Sequence, residues 1–173
     1  MATIIVLAST LVSVNVKLSK EFKAVTDGFY NGITVNGVKE ESIHSQLMVI
    51  SRAAEDLAAV AERNGIDVSE FRDEISYFNH DVIVMQEYIS YIHYMYENIL
   101  SYIMDVGQKL SAVSLSENDE KIAVSSLEAI LRAKDNIEAS GYNSTVREYI
   151  SSMHFPTDFF AEFAGVALPE YFA

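Results

Sequence analysis

The sequence predicts an all-α fold, an elongated antiparallel up-and-down bundle of long helices, four in number. Apolar residues recur at alternating spacings of four and three along most of the chain, which is the period of one buried helix face. Only two prolines and seven glycines interrupt 173 residues, so breaks are few. Half of the residues are apolar, enough for the core of one domain of this length.

The first helix is expected to run through the whole N-terminal region, because Ile4, Leu7, Leu11, Val14, Leu18, Phe22, Val25 and Phe29 keep a helical period up to Gly28 and Gly32. Its first part, Ala2 to Val16, carries no charge. At 1.5 Å per residue that part covers about 23 Å, short of a hydrocarbon core near 30 Å. It lacks a basic leading region and a small-residue cleavage site, so it reads poorly as a signal peptide. Residues 1–16 are therefore either a truncated membrane anchor continuous with the first helix or the start of an ordinary buried helix, and 17–173 form the bundle with its aromatic C-terminal tail. The run Gly28-Phe-Tyr-Asn-Gly-Ile-Thr-Val-Asn-Gly37 is rich in turn residues. Lys17 to Phe29 then either folds back as a fourth antiparallel member or runs on toward the next helix.

That next helix is expected over residues 38–63, with Ile43, Leu47, Ile50, Ala54, Leu57 and Ala61 on its apolar edge. Asn64-Gly65 supplies a stop, and Asp67 with Glu70 has the spacing of a capping box. The third helix takes residues 68–114. Its seam is Phe71, Ile75, Phe78, Val82, Met85, Ile89, Ile92, Tyr96, Ile99, Ile103, Val106, Leu110 and Val113. Unbroken, it would be roughly 70 Å long, with Asn79 and Gly107 as its kink points. The fourth starts at the N-cap Ser116, followed by Glu117, Asp119 and Glu120, which favour a helix N-terminus. It continues through Ala123, Leu127, Ile130, Lys134, Ile137, Gly141 and Ser144 to a stop at Phe155-Pro156. Beyond it, Phe159, Phe160, Phe163, Val166, Leu168, Tyr171 and Phe172 are too apolar to stay in water. They predict a short helix over residues 158–164 that closes one end of the bundle. The alternative, a membrane-surface or partner contact, is weakened by Asp158, Glu162 and Glu170.

Charge and composition exclude several functions. A net charge of −13 repels phosphate backbones, so no nucleic-acid partner is expected. The absence of cysteine removes disulfides, thiolate zinc sites and cysteine nucleophiles. No Gly-x-Ser-x-Gly elbow and no phosphate-cradling glycine loop is present. Glu41-Ser-Ile-His44 is the sole Glu-x-x-His motif, where a di-metal bundle needs two. It lies in a first helical turn, where the acid serves the helix dipole and His44 is expected to be solvated. His80, His93 and His154 have no partner at a ligand spacing. Asn143-Ser-Thr145 has the form of a glycosylation acceptor, a triplet common by chance. The expectation is a protein that is not an enzyme and holds no metal or cofactor.

Between Arg72 and Lys109 there is no Lys or Arg, six acids, and the tyrosines Tyr77, Tyr88, Tyr91, Tyr94, Tyr96 and Tyr102. One reading is a central helix touching two neighbours, with Tyr88, Met95 and Tyr102 widening its seam. The other is a tyrosine-lined groove for a peptide, glycan or lipid tail, with Glu87, Glu97 and Asp105 favouring cationic groups. Tyr94 lies furthest from the seam and is expected to be exposed.

The C-terminal residues Tyr142-Asn143-Ser-Thr-Val146-Arg147-Glu148-Tyr149, then Phe155-Pro156, then Pro169-Glu170-Tyr171-Phe172-Ala173, resemble the C-terminal signature of the LemA family. A weaker match is Ile43-x-x-Gln46-Leu47. There the family's following basic pair and proline are absent, and this chain continues Met48 to Leu57. The resemblance implies a bacterial helical bundle behind an N-terminal transmembrane helix, with no settled molecular activity. It points to a single-pass, membrane-anchored, non-enzymatic scaffold for an unidentified protein or peptide partner. The other class is a soluble or extracytoplasmic bundle that binds a ligand or peptide through its tyrosine-rich helix. Candidate interaction residues are Tyr88, Tyr91, Tyr94 and Glu97, with Arg147 and Glu148 beside the Tyr142–Val146–Tyr149 edge. Lys17, Lys20 and Lys23 favour a cytoplasmic bundle, but with Glu21 among them they leave the side of the membrane open.

Overall fold

A computed structural model describes residues 2–35, 37–85, 88–153 and 168–173, with residues 2–15, 18, 35 and 83–85 described by their backbone alone. The chain is mostly helical, as its apolar period predicts. Among the described residues the elements are α1 (Ala2–Asn31), β1 (Thr34–Val35), β2 (Val38–Lys39), α2 (Ile43–Arg63), α3 (Ser69–Phe78), α4 (Ile89–Ser111), α5 (Glu117–Ala139) and α6 (Tyr142–Ser152). A π-helical stretch, Asn79–Met85, continues α3.

The α2 helix lies among four neighbours, α1, α3, α4 and α5. Its buried edge explains this position. Leu47, Ile50, Leu57 and Val60 are fully enclosed, while the small side chains of Ala53, Ala54, Ala58 and Ala61 let other backbones come close. The α2 and α5 helices run in opposite directions, since Arg63 at the end of α2 holds Asp119 at the start of α5, and Gln46 near its beginning meets Asn136. Expected caps are in place at both helices. Ser116 Oγ accepts from Asp119 N, and Gly65, at φ +75°, follows the Asn64 cap that ends α2.

Three expectations are corrected. Residues 68–114 do not form one long helix. Phe71 stacks on Tyr102 with ring centroids 6.4 Å apart, whereas a straight helix would hold them roughly 47 Å apart. Tyr91 also donates to Asp81 across the reversal, at 2.9 Å. The chain therefore folds back between α3 and α4. At Asn79 the α geometry gives way to π geometry, and the Asn79 side chain is engaged by Ser51 and Glu55 of α2. Gly107 lies inside an unbroken α4.

The second helix starts at Ile43 instead of residue 38, because Val38 and Lys39 pair with Val35 and Thr34 in a small antiparallel ribbon. Ser42 caps the helix by accepting from Ser45 N at 3.0 Å. The fourth predicted helix divides at Ser140, whose extended backbone (ψ 138°) lets Gly141 N–H donate to the Glu40 carboxylate at 3.1 Å. The α1 helix is continuous, as expected, and packs on α2 and α6. The predicted stop at Phe155-Pro156 and the short helix over 158–164 lie outside the described residues.

Asp119 ties two helix ends together. One carboxylate oxygen accepts from Arg63 Nε and Nη2, at 3.0 and 2.6 Å, and the other from Asn64 Nδ2 at 3.2 Å. The Arg63 hydrogen bond first, and then Asn64, the Arg63 charge and Ser116, hold its pKa below the ordinary 3.8. A depressed folded pKa adds stability that is present above the unfolded value and lost as pH falls through the folded one. Asp119→Asn should therefore lower the urea midpoint at pH 7. It should also lose less stability than the parent chain between pH 5 and pH 2; parallel acid curves for the two proteins would contradict this assignment.

Candidate functional site

Tyr142, Val146 and Tyr149 recur at four and three, which places them on one face of α6, and that face packs on α1. All three are buried. Residues 168–173 run past the start of this helix without regular structure and fasten to it. Tyr142 OH donates to the Glu170 carbonyl at 2.9 Å. Asn143 uses both ends of its amide: Nδ2 donates to the Phe172 carbonyl at 2.9 Å, and Oδ1 accepts from Phe172 N–H at 2.8 Å. The two halves of the C-terminal sequence pattern are thus bonded directly to each other.

The rest of this seat comes from α1 and α4. Phe172 is 5% exposed. Its ring centroid lies 5.6 Å from Phe29, 5.5 Å from Tyr96 and 4.9 Å from His93, the last at an edge-on 85°. The Glu170 carboxylate accepts from Ser90 N at 2.9 Å and Ser90 Oγ at 2.8 Å in the first turn of α4. That helix has no side-chain cap of its own, since Tyr88 at the N-cap makes no such bond. The tail carboxylate fills the role, where a helix N-terminus favours negative charge. Burial, with the charges of Glu97 and Glu138 adding, pushes the Tyr96 hydroxyl up to about 12. Burial, then Tyr30 and Glu170, also raises that of Tyr142, which remains a hydrogen-bond donor at neutral pH.

Ser90, His93 and Tyr96 were not expected beside the tail. Helix spacing shows which residues share a face, but not which remote segment covers that face. The aromatic density of the tail required only that something cover it.

The tyrosines of α4 divide between inside and outside. Met95 is buried and Tyr102 packs on Phe71. Tyr88, expected to widen the seam, is 72% exposed because α4 begins after it. Tyr91 and Tyr94 stack with centroids 6.2 Å apart, and Tyr94 is 58% exposed. Glu97 is exposed, with its carboxylate 3.7 Å from His93 Nε2. Arg147 and Glu148 are exposed on a different helix, α6. Glu87 lies outside the described residues. Clefts that open elsewhere include one of about 230 Å³ bounded by Asp67, Glu70, Phe71, Tyr102 and Lys109, and one of about 400 Å³ between α4 and α5, beside Leu110 and Leu127. Neither is lined by Tyr88, Tyr91 or Tyr94.

His44 is half-buried rather than solvated, because Tyr30 of α1 lies over the first turn of α2 with ring centroids 5.3 Å apart. Burial lowers its pKa, opposed by a backbone hydrogen bond at Val82, and among the described residues its Nε2 has no hydrogen-bond partner. Among the described residues, no group of three or more His, Asp or Glu is placed to hold a metal ion. Among the residues described, no helix is long and apolar enough to cross a membrane. No protein-family model matches the chain, and no curated protein or solved structure matches it.

Proposed function

We propose that this chain is a LemA-like, non-enzymatic scaffold, anchored in a bacterial membrane by a single pass of which residues 1–16 are part, and that it presents a surface to a protein or peptide partner. In this reading α2, α3 with its π-helical continuation, α4 and α5 form an elongated, antiparallel up-and-down bundle of four. The α1 and α6 helices extend it at one end. The observation that carries the proposal is the bond between the two halves of the LemA-like pattern, Asn143 with Phe172. Residues far apart in the pattern serve one structural task, which supports reading them as one pattern.

The anchor is supported by the uncharged run from Ala2 to Val16, which belongs to the same continuous helix as the docked Phe29. Lys17, Lys20 and Lys23 follow it and are exposed. Long lysine stems can reach the water boundary, and the bilayer can thin locally, which together offset the short span. Tyr88, Tyr91, Tyr94 and Glu97 offer an acidic aromatic surface; Arg147 and Glu148 offer a second polar position. No catalytic group, metal or cofactor enters this reading.

Fractionation of cells expressing the full chain tests it. The chain should sediment with membranes and resist alkaline carbonate, while the full-length double variant Leu7→Arg, Leu11→Arg should move to the soluble fraction. Each charge at the centre of a membrane helix costs about 3 kcal/mol. A parent chain found in the soluble fraction sinks the anchored reading.

A further inference from the structure

The seat that holds residues 168–173 has the form of a peptide-recognition site. We propose that it is one, that its ligand is an extended partner segment carrying a carboxylate two residues before an aromatic ring, and that the chain's own tail occupies it in competition. Each part of the seat reads one part of such a segment. Asn143 takes the N–H and carbonyl of a single residue, a backbone clamp that any extended peptide satisfies. Tyr142 takes the carbonyl two residues earlier. Specificity comes from two side chains. Phe29, His93 and Tyr96 surround the aromatic ring. Ser90 N–H and Oγ at the start of α4 hold the carboxylate.

The position between the two anchors is not read, whereas Pro169, just before the acid, is buried. Tyr171, between the two anchors, is 37% exposed, and Leu168 is 50% exposed. Recognition therefore centres on an acid, any residue and an aromatic, presented on an extended backbone, with the residue before the acid also enclosed. An anionic end group suits this seat in particular, because α4 brings no capping side chain and leaves its Ser90 N–H for an external acceptor.

Competition by the tail follows from its energetics. Ordering six residues carries an entropy cost larger than the net gain of the few neutral hydrogen bonds the tail makes. The surplus comes mainly from one ring and one carboxylate. A partner offering the same two groups can replace the tail, but it must overcome the high effective concentration of a tethered competitor.

A labelled peptide of sequence Leu-Pro-Glu-Tyr-Phe-Ala, titrated by fluorescence anisotropy, tests the proposal on full-length protein. The variant Phe172→Ala, whose own tail lacks the ring, should bind the peptide at least tenfold more tightly than the parent chain does. A peptide with its phenylalanine replaced by alanine, or its glutamate by glutamine, should bind that variant at least tenfold more weakly. If Phe172→Ala lacks a cooperative melt, Glu170→Ala, which frees Ser90, takes its place with the same expectations. A folded variant that ignores the peptide, or binds all three peptides alike, overturns the proposal. Light scattering of variant and parent chains mixed covers the remaining occupant. Mixed dimers together with indifference to free peptide would replace the partner segment by tail exchange between copies.

Discussion

Phe29→Ala is expected to lower the free energy of unfolding by about 3–5 kcal/mol, the range for removing a large aromatic side chain from a closed core. Phe29 is 0% exposed and lies where three segments meet. Its ring centroid is 5.0 Å from Tyr30, 5.5 Å from Tyr142 and 5.6 Å from Phe172. Two of these neighbours are held in place by hydrogen bonds within the seat, Tyr142 by Glu170 and the Phe172 backbone by Asn143. They cannot collapse into the vacated space without breaking those bonds, so the cavity term adds to the lost transfer energy. Equilibrium urea unfolding would show a lower midpoint with an unchanged slope. A loss under about 1 kcal/mol would mean that α1 is not packed on α6 through this residue. Phe22, two turns earlier and only partly buried, should cost less on the same substitution.

Gly32→Ala should cost about 3 kcal/mol or more, through backbone geometry instead of packing. Gly32 has φ +79°, a conformation that costs an L-residue roughly 1–2 kcal/mol. A Cβ placed there would lie 2.1 Å from the Glu40 carbonyl oxygen. That oxygen is backbone and cannot rotate away, and its residue is fixed by the Glu40 N–H to Ile33 carbonyl bond at 2.8 Å. The ribbon must then part, and with it the Glu40 carboxylate that receives Gly141. Gly37 is the internal control. It has φ +80° but open space around its Cβ position, so Gly37→Ala should cost only the conformational part, about 1–2 kcal/mol. Equal losses at the two positions would refute the steric account.

The two glycines also mark what could be read in the sequence. The stretch from Gly28 to Gly37 was legible as turn-rich, and the caps at Ser116 and Asn64-Gly65 fall where short-range rules place them. Those signals are local, and the chemistry of a few adjacent residues suffices for them. The reversal between α3 and α4 was not legible. The four-three seam from Phe71 to Leu110 stays in step across the reversal, and a repeated spacing reports the buried face without reporting the direction of the chain. No proline or glycine punctuates the turn; the departure starts at Asn79, where α2 side chains capture an amide. The candidate site follows the same rule. The buried edge Tyr142, Val146 and Tyr149 could be read from spacing, and so could the need to cover the tail. That Ser90 and His93 would receive it depends on how the folded-back α4 meets the tail held by α6, which is tertiary information.

The tail seat has a consequence for the order of events in biosynthesis. Phe29 and Phe172 touch, yet 143 residues separate them in the sequence. At 5–20 residues per second, a ribosome adds Phe172 about 7–30 s after Phe29. Throughout that interval Phe29 lacks the Phe172 ring, and α4 lacks the carboxylate that caps its first turn. The nascent chain can assemble α2 with α3, α4 and α5 while it is still being made, but the α1 junction must wait for residues 168–173 to clear the exit tunnel. Phe172→Ala should therefore slow the final docking of the first helix more than the folding of the segments between.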